Sequence, residues 1–95
     1  MAFCIDIFKF DQKDDFIYYI YQFSIPGEEY KSASGKIRYK LKLVTGKLKI
    51  DKRNGDVHTI ELAEGDKGLH AQRASWALIK HWKNGEYPDK TFWAS

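Results

Sequence analysis

Residues 36–43 read KIRYKLKL, and every second side chain of this segment carries a positive charge. Successive side chains of a β-strand point to opposite faces of a sheet, so this alternation predicts a strand with one cationic and one apolar face. Burial of apolar groups is favourable and burial of unpaired charges is costly, so we expect the apolar face to turn toward the core. The apolar face consists of Ile37, Tyr39, Leu41 and Leu43, and the cationic face of Lys36, Arg38, Lys40 and Lys42.

Alternating patterns and turn residues predict five strands in all, at about residues 2–10, 15–24, 35–44, 47–51 and 56–63. Pro26-Gly27 is expected to end the second strand, because proline and glycine interrupt a strand. A two-residue turn at Thr45-Gly46 is expected between the third and fourth strands. It would pair Leu43 with Leu48 and keep the apolar side chains of both strands on one face.

The last predicted hairpin turns at residues 53–55. A three-residue loop with Gly55 in the left-handed conformation would bring Ile60 and Leu62 into the core. The same register would set Lys47 opposite Glu61 on the outer face.

The pattern changes after residue 67. Residues 68–84 contain no proline and several alanines, and Gly85 follows them, so we expect a helix at about 68–84 and a tail at 86–95. Strands followed by a helix are typical of an α+β domain. We therefore predict a single domain, residues 1–95. Its fold is an antiparallel meander sheet of four to five strands with one C-terminal helix packed on one face.

Composition excludes several classes of protein. A single cysteine, Cys4, excludes an internal disulfide and a zinc site built from several cysteines. We find no cofactor-binding motif and expect neither a cofactor nor a metal. The first ten residues lack a basic leader, and no apolar run reaches the ~20 residues that span a bilayer. We therefore expect a cytoplasmic protein that does not interact with membranes.

The positive charge is concentrated in one part of the chain. Residues 36–53 carry eight basic side chains and only one acidic side chain, whereas residues 1–30 carry six acidic and two basic ones. The predicted register puts six cations on one sheet face, a candidate surface for RNA or single-stranded DNA if Tyr18 or Tyr19 adds a stacking platform. The alternative is a solubilising face that prevents edge-to-edge sheet association. The six cations are Lys36, Arg38, Lys40, Lys42, Lys47 and Lys49.

A second candidate surface lies on the outer side of the predicted helix. Trp76 is expected there with Arg73, Lys80 and Lys83 around it, on the side opposite Ala74 and Leu78. An outward tryptophan marks either a partner site or the place where the tail folds back. We expect the tail to cover Trp76.

These observations favour a small non-catalytic binding or interaction module that recognises a protein. The alternative is an RNA or single-stranded DNA binder that uses the cationic face. A third hypothesis is a small enzyme that uses Cys4 and a histidine. Nothing beside Cys4 in the sequence marks its thiol as activated.

Overall fold

The computed structural model describes residues 4–94, which form one five-stranded sheet and one helix. The strands are β1 (Cys4–Lys13), β2 (Phe16–Lys31), β3 (Ile37–Asp51), β4 (Val57–Glu61) and β5 (Lys90–Ala94), and the helix is α1 (Leu69–Lys83). Residues 2 and 3 of the predicted first strand and residue 95 of the predicted tail lie outside the described range. The helix in this range is not long and apolar enough to cross a membrane.

The strands are arranged in the order β4-β3-β2-β1-β5, and every neighbouring pair is antiparallel. The first four strands follow one another as a meander. The chain then crosses one face of the sheet as α1 and adds β5 at the far edge, beside β1. The predicted α+β class and the antiparallel sheet with one helix are confirmed.

The core lies between α1 and the face of the sheet that we call the helix face. The helix contributes mainly small side chains, and the large side chains Tyr19 and Tyr21 come from the sheet. The buried apolar residues are Ile5, Ile7, Ile17, Tyr19, Tyr21, Phe23, Val44, Leu48, Ile50, Ala63, Ala71, Ala74, Ala77 and Leu78. Within residues 4–94, no helix covers the opposite side of the sheet, which we call the open face.

The predicted turn at Thr45-Gly46 is wrong. Residues 37–51 form one continuous strand that pairs with β2 along its length. Gly46 lies opposite Tyr21, and a Cβ at Gly46 would overlap the Tyr21 ring. The glycine therefore leaves space for a buried aromatic ring, a known use of glycine inside a strand, and does not make a turn.

The predicted end of β2 at Pro26-Gly27 is also wrong. The strand continues to Lys31 through a bulge between Pro26 and Glu29. A Cβ at Gly27 would come within 2.7 Å of the carbonyl oxygen of Lys40, so glycine permits the close approach that this bulge requires. Beyond the helix, β2 and β3 thus extend as a two-stranded ribbon, residues 24–43, which we call the arm. It accounts for the elongated shape of 55 × 22 × 21 Å.

The hairpin between β3 and β4 is confirmed only in part. Gly55 is left-handed, with φ of 78°, and Lys47 lies opposite Glu61. Ile50, however, pairs with Val57 and Leu48 with Thr59. The pairing of residues 48–50 is thus shifted by one residue from the predicted register, and an irregularity between Lys47 and Leu48 restores the predicted pairing at Lys47. The side chains of Ile60 and Leu62 are half-exposed, so the prediction that they enter the core is wrong.

Candidate interaction surfaces

The arm exposes an apolar stripe formed by Ile37, Tyr39, Leu41 and Leu43. These side chains are between 55% and 76% exposed, so the prediction that they are buried is wrong. Two features explain the difference. The helix does not reach this half of β3, and the unbroken alternation from Val44 and Leu48 on the helix face puts the stripe on the open face.

The predicted six-cation surface is divided between the two faces of the sheet. Arg38, Lys40 and Lys42 lie on the helix face of the arm, with Lys36 in the turn before them, whereas Lys47 and Lys49 lie on the open face. The predicted surface required the turn at Thr45-Gly46. In a continuous strand, positions 42 and 47 differ by an odd number of residues and point to opposite sides. Lys42 forms an exposed ion pair with Glu64 at 2.6 Å.

Both edges of the arm lack a neighbouring strand among residues 4–94. β4 pairs only with residues 47–50 of β3, and β1 pairs only with residues 16–22 of β2. The backbone N–H of Lys52 donates to the carbonyl of Asp15, which fixes the alternation of hydrogen-bonded pairs along β2 and β3. By this alternation, the N–H and C=O groups of Leu41 and Leu43 point away from β2 toward the free edge.

The open face of the main sheet carries aromatic rings with cations beside them. The Nζ of Lys49 lies 4.7 Å from the ring centroid of Phe16, and that of Lys47 lies 6.0 Å from that of Phe10. The Tyr18 ring is 6.0 Å from the Phe10 ring and also 6.0 Å from the Nζ of Lys13. Such distances permit cation–π attraction. The structure therefore brings together cations and rings on one uncovered surface.

Of the two tyrosines considered as stacking platforms, only Tyr18 shares a face with Lys47 and Lys49. Tyr18 pairs with Lys49, whereas Tyr19 is buried under the helix. Sequence reasoning did not select Phe10 and Phe16 for this surface. The alternation of β2 contains the signal for Phe16, because the buried Ile17, Tyr19 and Tyr21 leave the open face to the even-numbered positions. Phe10 lies at the irregularity of β1 between Lys9 and Asp11, where the alternation breaks.

Trp76 lies on the outer side of α1 as predicted, but the tail does not bury it. The tail forms β5 beside the helix, and the Trp76 side chain remains 52% exposed. Arg73 stacks over the ring of Trp93, 5.0 Å from its centroid, and Lys80 lines an open cleft with Trp76 and β5. Lys83 is exposed at the helix end and does not line this cleft.

In the described part of the chain, no histidine lies beside Cys4; His58 belongs to β4, which β3 and β2 separate from β1. Cys4 lies on the open face of β1, whereas His70 and His81 belong to the helix on the opposite side. The Nε2 of His81 is 2.8 Å from the Thr91 hydroxyl, and its Nδ1 is 3.2 Å from a Glu86 carboxylate oxygen. Within residues 4–94, no group of three or more metal-ligating side chains could hold a metal ion.

The ionisable groups with shifted pKa values stabilise turns and the core. Hydrogen bonds from Arg53 hold the pKa of Asp51 at about 2. Burial raises the pKa of Tyr19 to about 12. Burial opposes ionisation of Asp66, but hydrogen bonds from Tyr21 and from the backbone of residues 68–71 outweigh it and lower the pKa of Asp66. These shifts arise from hydrogen bonds and burial, and all three groups have structural partners.

Comparison with known proteins adds no functional assignment. No family model, no curated protein and no solved structure matches this chain.

Proposed function

We propose that the protein is a non-catalytic binding module that docks onto a partner protein through the arm. The observation that carries this proposal is the exposed apolar stripe of Ile37, Tyr39, Leu41 and Leu43. Contiguous apolar surface of this kind is uncommon on proteins that act alone and marks interaction sites. A two-stranded ribbon is also marginally stable in water by itself, so a partner that packs on the stripe stabilises the arm.

The chemistry of the arm defines the partner that fits it. The stripe calls for an apolar groove, and the unpaired backbone groups of Leu41 and Leu43 offer hydrogen bonds to a strand of the partner. On the other side of the arm, Arg38 and Lys40 favour carboxylates at the rim of that groove. A protein with an apolar groove, an exposed strand and acidic residues at the rim can make all three kinds of contact. A nucleic acid has no apolar groove in which the two leucines could be buried.

Site-specific photo-cross-linking tests this proposal. A photoreactive phenylalanine analogue is placed at Leu41 and, as a control, at Lys83 on the far side of the molecule. We expect a cross-linked protein with the Leu41 probe and not with the Lys83 probe. The cross-linked protein is then purified and its affinity measured directly. A product with the mass of two chains would identify a second copy as the partner.

Matched apolar substitutions make the test quantitative. Because buried interface anchors cost ~2 kcal/mol or more each, Leu41→Ser with Leu43→Ser should weaken binding of the purified partner more than ~100-fold. The control, Ile60→Ser with Leu69→Ser, removes two half-exposed side chains outside the arm and should change affinity less than ~3-fold. Equal effects of the two double variants, or equal cross-linking at both probe positions, would exclude the arm as the docking site.

The second candidate function, binding of single-stranded nucleic acid, is favoured by the rings and cations of the open face. Phe10 and Tyr18 offer surfaces on which bases can stack, and Lys47 and Lys49 lie within reach of phosphates. This surface differs from the predicted six-cation surface, because it uses the lysines of the sheet centre and none from the arm.

Salt titrations with a fluorescein-labelled 20-nucleotide oligo(dT) test this second function. Lys47→Gln with Lys49→Gln should reduce the slope of log affinity against log salt by about 1.4, at ~0.7 per phosphate contact on a single strand. The matched control, Lys40→Gln with Lys42→Gln, removes two cations from the other face and should leave the slope unchanged. Binding that is undetectable at low salt, or that responds equally to both pairs, would exclude the open face.

A further inference from the structure

A cleft of about 490 Å³ lies between α1 and the outer edge of β5. From the helix it is lined by Trp76, Lys80 and His81, and from the sheet by the consecutive residues 91–94. Consecutive residues of a strand point to opposite faces, so a cleft lined by four of them follows the backbone edge of the strand and not one of its faces. The free edge of β5 therefore forms the floor of this cleft.

The backbone groups on this floor can be assigned from the register. The N–H of Lys9 donates to the carbonyl of Asp89 at 2.8 Å, in the same register that pairs Ile7 with Thr91. Hydrogen-bonded pairs alternate in an antiparallel ladder, so Thr91 and Trp93 direct their backbone groups to β1. The N–H and C=O of Phe92 then point into the cleft, and in the described part of the chain no strand pairs with them.

The walls of the cleft combine exposed aromatic surface with positive charge. Trp76 is half-exposed on the helix side of the cleft. The side chain of Phe92 is 61% exposed and points to the open face, because its neighbours Thr91 and Trp93 contact the helix. Lys80 contributes a positively charged side chain to the lining of the cleft. The carboxylate of Glu86 lies 3.2 Å from His81, and His81 in turn contacts the Thr91 hydroxyl, which fixes that end of the cleft.

We propose that this cleft binds an extended peptide segment, which adds a sixth strand to the sheet at β5. Backbone hydrogen bonds to Phe92 align the peptide, as in other cases of strand addition. An aromatic or large aliphatic side chain of the peptide packs against Trp76, and an acidic side chain pairs with Lys80. The site lies at the opposite edge of the sheet from β4 and does not rest on the proposed role of the arm.

Selection from a displayed library of random octapeptides, with the full chain as bait, tests this inference. We expect selected peptides to combine acidic residues with an aromatic or aliphatic residue. Trp76→Ala should weaken their binding more than ~30-fold, as for a central aromatic anchor. Lys80→Glu should weaken it about 3- to 10-fold, as for a charge at the rim of an interface. The matched control Lys83→Glu makes the same charge change outside the cleft and should alter affinity less than 2-fold.

Hydrogen exchange of backbone amides provides a readout specific to strand addition. A saturating selected octapeptide should slow exchange at Phe92, whose N–H is open in the free protein, and leave the already bonded Thr91 and Trp93 little changed. Leu41→Ser with Leu43→Ser should leave this binding intact, which separates the cleft from the arm. Failure to select any peptide overturns the inference, and so does binding that tolerates Trp76→Ala or leaves exchange at Phe92 unchanged.

Discussion

Asp66 connects the core of the sheet to the start of the helix through a set of short hydrogen bonds. The Tyr21 hydroxyl donates to its Oδ2 at 2.7 Å, and the backbone N–H groups of Gly68 and Ala71 donate to its two carboxylate oxygens at 2.8 and 3.1 Å. The first backbone N–H groups of a helix have no partner within the helix, so this carboxylate caps α1. The Tyr21 hydroxyl in turn accepts the N–H of Ala63.

Asp66→Asn should therefore destabilise the protein by about 2–3 kcal/mol, since it replaces charge-assisted hydrogen bonds in a buried site with weaker neutral ones. Urea unfolding followed by circular dichroism at pH 7 measures the loss. The control Asp56→Asn changes an exposed carboxylate and should alter the free energy of unfolding by less than ~0.5 kcal/mol. A loss at Asp66 no larger than at Asp56 would show that the cap contributes nothing measurable.

The stability difference between wild type and Asp66→Asn should shrink in acid. The pKa of Asp66 is lowered in the folded protein, so the unfolded chain takes up a proton first as the pH falls below its ordinary value of about 3.9. The stabilisation is therefore present above that pH and is lost as the pH falls through the lower folded pKa. Asp51, whose pKa is held at about 2, loses its stabilisation in the same direction in both proteins, and its contribution cancels from the difference.

At the scale of the elements, periodicity predicted most strands and the helix because these depend on local pattern. The helix was expected at about 68–84 and lies at Leu69–Lys83, with Ala74 and Leu78 buried as predicted. The left-handed Gly55 was also predicted, because a tight hairpin requires a positive φ at that position. Features that depend only on residues close to one another in the sequence could thus be predicted without the structure.

The arm was not predictable in this way, because the hairpin at Thr45-Gly46 is locally just as consistent as a continuous strand. In both arrangements Leu48 and Ile50 share one face. The choice is made by β2, which is long enough to pair with all of β3 and places Tyr21 over Gly46. Once the turn is absent, the parity of residues 36–43 relative to the core is reversed. The apolar side chains then lie on the open face, and the cations lie on the helix face but stay exposed as predicted, because the helix does not reach the arm.

The surfaces depend on these element-level differences. Lys47 and Lys49 separate from the arm cations because β3 is continuous, and the cleft beside Trp76 exists because the tail forms a strand. The five-residue segment 90–94 has too short a pattern to distinguish a strand from a tail. The sequence did indicate some residues of each surface: Lys47, Lys49 and Tyr18 for the open face, and Trp76 with Lys80 for the cleft.

At the scale of the whole molecule, the arm projects from the domain and is separate from its core. None of residues 26–41 is buried, whereas every apolar core residue lies outside this range. The core should therefore fold without the arm, and the arm should be needed only for its partner.

The register provides a way to remove the arm cleanly. Ile25 lies opposite Lys42. The pair of Asp15 and Lys52 is hydrogen-bonded, and such pairs recur at every second position of the ladder, so the pair of Ile25 and Lys42, ten positions away, is hydrogen-bonded too. Residues 26–41 can therefore be replaced with Asn-Gly, which forms the two-residue turn that such a pair accepts. The Lys42 ion pair with Glu64 is retained.

This trimmed chain should unfold cooperatively in urea, with a free energy of unfolding within ~1 kcal/mol of the full chain, because it loses no buried side chain and closes a shorter loop. It should also be more soluble, since the apolar stripe is gone. Binding of the arm's partner should be abolished, whereas the octapeptides selected for the cleft at β5 should bind with unchanged affinity. A trimmed chain that is unfolded in the absence of urea would show that the arm belongs to the cooperative core. Retained binding of the partner would place the docking surface elsewhere on the molecule.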